Sequence, residues 1–177
     1  MSISTLPLDS ERWDTLDSSV GGNGRFTAQL LTSVVNGEFS GLDELSHQIC
    51  HQLSVGSVAY AAVPHLVIIA SNIPTSVRIQ VLAIIGLVVA SQHVFSTDAS
   101  VIPEDLQENF GRAIPQTLSL ALRTIENDTI GHGEITTLLG VVASIKRQHN
   151  LALHLLLHGG SDHELSCPQC GEYISWK

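Results

Sequence analysis

The chain has 177 residues, 44% hydrophobic and only 14% charged, which supports one continuous core and excludes an intrinsically disordered polymer. Eight Lys and Arg against seventeen Asp and Glu leave a formal charge of −9; such a surface repels a phosphate backbone, so nucleic-acid binding is not expected. The same surplus suits encounter with a basic protein partner.

The first residues, from Met1 to Asp9, lack the basic start and apolar run of a secretory signal, so a cytoplasmic location is expected. After Trp13 and Leu16, the stretch from Ser18 to Gly24 (SSVGGNG) is rich in turn formers and reads as a loop. A first helix is predicted from Arg25 to Val35, stopped by Asn36-Gly37. From Gly41 to Leu53, the residues Leu42, Leu45, Ile49 and Leu53 recur at helical spacing and leave Asp43, Glu44 and His47 on other faces.

The segment from Val58 to Ala70 is apolar nearly throughout, and Thr75 is the expected N-cap of a helix running to about His93. These two helices should be central. The most apolar stretch, Ile79 to Ala90, is too short to cross a bilayer and follows Arg78, so it reads as a core helix and no membrane span is expected. Phe95 to Ile102 should form a loop. Pro103 then fits the first turn of a long helix, where the helix dipole favours Glu104 and Asp105, ending near Asp128. Two shorter helices, Glu134 to Lys146 and Gln148 to His158, precede Gly159-Gly160. The predicted class is all-α, with a helical domain over residues 1–158 and a short non-helical tail over 159–177.

A faint internal repeat joins the nine residues from Ala62 (AVPHLVIIA) to the nine from Ala113 (AIPQTLSLA). A proline inside a helix removes a backbone bond and bends the axis, so its recurrence suggests one bent helix copied in successive units.

Several elements resemble bacterial HEAT-like repeat proteins. They are Trp13-Asp14-x-Leu16, Leu30-Leu31, the LDEL run from Leu42, Cys50-His51-Gln52, and the SVAYAAVPHL run from Ser57. The resemblance covers most of the chain, with two departures: the family usually has Gly where this chain has Leu53, and its usual proline in the first helix is missing around Thr27. It implies a HEAT-like α-solenoid, a short curved stack of antiparallel helix pairs, with relatives that look like immunity or accessory factors beside bacterial toxin genes.

Metal-ligand spacing occurs at Cys167-Pro-Gln-Cys170, where two thiolates could wrap round one tetrahedral Zn²⁺. This is half a site, to be completed by His163 with His158 or His154, or by a second chain; otherwise the thiols are inert. A redox dithiol fits poorly, because no strand-to-helix junction precedes the pair. HEAT-like hydroxylases hold two irons with repeated His-Glu pairs, whereas the adjacent pair here is His163-Glu164 alone, so no enzyme activity is expected. His47 and His51 lie four apart and could face one ligand, although a histidine bonding a backbone carbonyl at the helix end is the plainer expectation, and His65 reads the same way. Gly-rich phosphate loops and Gly-x-Ser-x-Gly elbows are missing.

Binding is therefore the expected output, through a groove made by the second helix of each pair. The expected partner is a protein, a basic toxin domain being one concrete instance, met by Asp43, Glu44, Glu104, Asp105 and Glu108; taken singly, each is also an ordinary solvated acid. The alternatives are a metal-dependent HEAT-repeat enzyme or a scaffold carrying a structural zinc knuckle.

Overall fold

The computed structural model describes residues 3–92, 101–158, 164–166 and 173–175, the last two segments by backbone alone. Among them are seven α-helices: α1 (Arg25–Val35), α2 (Leu42–Ile49), α3 (Val58–Ala70), α4 (Thr75–Ser91), α5 (Glu104–Asn127), α6 (His132–Ile145) and α7 (His149–His158). Two short antiparallel hairpins accompany them, β1 (Cys50–His51) with β2 (Ser54–Val55) and β3 (Glu164–Ser166) with β4 (Tyr173–Ser175). The all-α class holds, and no helix of the described residues is long and apolar enough to cross a membrane.

A helix that is apolar all round must be enclosed, and α3 and α4 obey that rule. Every residue of α3 except Ile68 is buried, and α4 exposes only Ser76 and Gln80. Flanking helices supply the cover: α3 packs on α1, α2, α4 and α5, while α4 also packs on α6 and α7. The N-terminal segment adds to it, with Ile3, Leu6 and Leu8 against the core and Trp13 fully buried, its indole N–H donating to the Pro7 carbonyl at 2.9 Å. Full burial of a Leu, Ile or Val side chain is worth roughly 1.5–3 kcal/mol, so this central hairpin dominates the stability of the fold.

By contrast α5 is two-faced, burying Leu106, Phe110, Ala113, Thr117, Leu120, Ala121 and Thr124 at helical spacing. Pro64 and Pro115 both lie inside their helices, and those helices, α3 and α5, pack on each other. Glycine permits the closest approach on the far side. A Cβ on Gly140 would come within 2.8 Å of Leu156 Cγ, and one on Gly86 within 3.1 Å of Val141 Cγ2, so α4, α6 and α7 meet at nearly bare backbone.

Two local expectations are corrected. The second helix stops at Ile49 rather than Leu53, because the loop before α1 takes over its terminal carbonyls: the Ser19 N–H donates to Gln48 O at 2.9 Å and the Ser19 hydroxyl to His47 O. With those acceptors satisfied, another helical turn is not needed, and the chain reverses through Gln52 (φ 49°) and Leu53 (φ 63°) into β2. Thr75 does not cap α4; Pro74 occupies the cap position and the Thr75 hydroxyl donates to Asp128 Oδ2 at 2.9 Å. Of the loop expected from Phe95 to Ile102, only Val101 and Ile102 lie within the described residues.

Candidate functional site

An open apolar recess of about 390 Å³ lies where α1 and α3 end side by side. Its walls are Val34, Val35, Phe39, Ile68, Ile73 and Pro74, with the Asn36 and Asn72 amides at its margin. Helix stops create the concavity. Gly37, at φ 89°, turns the chain after α1 and donates its N–H to Val34 O, while Asn72 ends α3 by donating its backbone N–H to Ile69 O and its side-chain amide to Ile68 O. Val35 and Ile68 remain 55% and 42% exposed, which places β-branched apolar surface against water at one location. Sequence reasoning missed this site, although its signal was present: each helix carries an apolar residue off the buried stripe within three residues of its stop.

The five acidic candidates are all exposed, but they fall on two helices that share no extended interface. Asp43 and Glu44 occupy the first turn of α2, and Glu44 accepts from the Gln48 side-chain amide at 2.8 Å. Glu104, Asp105 and Glu108 lie on the first turns of α5. Asp105 is engaged within the molecule: Arg12 Nε and Nη2 donate to its two oxygens at 2.8 and 3.0 Å, and this fork holds the carboxyl below the usual Asp range. Glu108 pairs with Arg112 one turn on.

Among the histidines, His65 meets the expectation: its Nε2–H donates to Leu6 O at 2.7 Å, tying the N-terminal segment to α3. Burial lowers its pKa, partly opposed by that carbonyl, so the ring is held neutral. His47 and His51 do not follow suit; their rings meet edge to face at 5.4 Å. Cys50 between them turns away, its thiol on Ser91 Oγ at 3.6 Å and its pKa raised by burial.

Cys167, Cys170 and His163 lie outside the described residues. His158, at the end of α7, is exposed, with its ring 5.8 Å from that of His154. Among the described residues no three His, Cys, Asp or Glu side chains converge as a metal site.

A second cleft, about 280 Å³, opens beside α5 and is lined by Ser71, Arg78, Leu120, Arg123, Asn127 and Asp128. Arg78 donates there to Ala70 O, Ile73 O and Asp128 Oδ2 at 2.9–3.1 Å, so it clamps the α3–α4 turn to the end of α5.

Comparison with family models, curated proteins and solved structures gave no match. The candidate site accordingly rests on geometry alone: an apolar recess on an acidic molecule.

Proposed function

We propose that the chain is a non-enzymatic protein-binding module of HEAT-like organisation, an immunity-type or accessory factor that binds and occludes a basic protein partner such as a toxin domain, in the cytoplasm. The observation that carries this reading is the exposed recess between α1 and α3, because a concave apolar pocket on a surface of net charge −9 suits a partner that offers an apolar anchor inside a basic rim. The helix contacts favour the HEAT-like arrangement: α1 packs on α2, α3 on α4 and α5 on α6, while α1 packs on α3, α3 on α5 and α4 on α6, as successive stacked pairs would. Co-purification of the chain with the product of the adjacent gene tests the proposal. A complex that forms at low salt and weakens as salt rises supports it; no complex at low salt discards the immunity reading.

A structural zinc is the second reading, held by Cys167 and Cys170 with His158 and His163. It draws support from the Cys-x-x-Cys spacing, which lets two thiolates wrap round one tetrahedral ion. Elemental analysis decides it: one zinc per chain, lost on Cys167→Ser, supports the knuckle, whereas two irons per chain would favour the metal-dependent enzyme instead.

A further inference from the structure

We propose that His47 and His51 form an open two-imidazole site for a divalent late transition-metal ion, separate from the cysteine tail. A tetrahedral ion roughly 2.0–2.1 Å from one nitrogen of each ring would hold the two ring centres roughly 5 Å apart. The centres stand at 5.4 Å, with the planes crossing at 75°. The centres thus already stand at about the spacing that one shared ion needs, and rotation about the side-chain bonds would turn one nitrogen of each ring from this edge-to-face contact toward it.

The backbone carrying the rings is fixed from several sides. The His47 carbonyl accepts the Ser19 hydroxyl and the Gln48 carbonyl accepts the Ser19 N–H. Gln48 is locked in turn, taking the Ser18 hydroxyl at 2.6 Å and donating to Glu44 at 2.8 Å. On the other side, His51 pairs with Ser54 across the β1–β2 turn. Preorganisation of this kind lowers the cost of chelation.

The donor set also defines the class of ion. Cys50 is half-buried with its thiol donating to Ser91 Oγ and its pKa raised by burial, so no soft thiolate joins. Two imidazoles with the remaining positions left to water suit Ni²⁺, Cu²⁺ or Zn²⁺ rather than Mg²⁺ or Ca²⁺, which demand oxygen. His47 is exposed at the end of α2, so the ion has direct access from solvent.

The test is calorimetric titration of Ni²⁺ into the full chain. The expected result is a binding event that weakens by about tenfold or more in His47→Asn and in His51→Asn, and that persists both in His154→Asn, which breaks the other imidazole pair, and in the Cys167→Ser/Cys170→Ser double variant. Because His47 is exposed, its substitution should leave the unfolding midpoint unchanged, which separates lost chelation from lost folding. Three outcomes overturn the proposal: no binding to the unaltered chain, unchanged affinity in both the His47 and His51 variants, or loss of all binding in the double cysteine variant. None of these bears on the protein partner.

Discussion

Two residues show how individual side chains set the balance. Leu53 sits at φ 63°, a left-handed conformation that costs an ordinary L-residue roughly 1–2 kcal/mol and that glycine adopts freely. Leu53→Gly should therefore raise stability by about 1 kcal/mol, after allowing for glycine's larger entropy in the unfolded chain, measured as a higher urea midpoint. The HEAT-like resemblance had placed glycine at this position, yet the apolar periodicity assigned Leu53 to the helix. Spacing alone could not reveal that Ser18 and Ser19 arrive from thirty residues away to end the helix at Ile49.

His65 supplies a pH dependence whose sign follows from its burial. The folded state lowers its pKa from 6.5, so its contribution is complete above that value and is lost as pH falls through the lowered one. Stability should fall as pH drops below about 6.5, and the drop should shrink in His65→Gln, as read by urea titration at each pH. Its partner, the Leu6 carbonyl, lies 59 residues upstream, so a bonded core histidine was legible in the apolar context of α3 while its acceptor was not.

Elements are joined by fewer contacts than they display. The Arg78 guanidinium gathers two carbonyls at the α3–α4 turn and the Asp128 carboxylate beyond α5. Arg78→Ala would strip all three acceptors at once in a half-buried setting and should cost about 2–3 kcal/mol, visible in the urea midpoint. At the other end, Gly140→Val should cost about 3 kcal/mol or more, because the new side chain would enter space already held by Leu155 and Leu156; thermal unfolding monitored by circular dichroism would report it.

Helix positions were legible because period and punctuation agreed. α1 and α3 have the predicted boundaries, and α4, α5, α6 and α7 differ from prediction by about two residues at most. The pairing of helices was not legible, since it depends on side chains far apart in sequence, such as Gly86 against Val141.

At the scale of the whole molecule, charge was readable and its deployment was not. Net charge is a sum over the sequence, whereas the Arg12–Asp105 fork depends on a fold that brings residues 93 positions apart together. The recess shows the same limit: Val35 and Ile68 are ordinary apolar residues in their helices and become a site only because α1 and α3 end together. Its α3 wall, Ile68 and Ile69, belongs to a helix otherwise enclosed by its neighbours.

Hydrogen–deuterium exchange of the chain, alone and with the adjacent gene's product, tests the proposed role of the recess most directly. The expected result is new protection confined to residues 34–39 and 68–74, with α3 and α4 the slowest-exchanging helices in both samples. Protection elsewhere on the surface, with both of those segments unchanged, would contradict the assignment of the recess as the place where the partner is held.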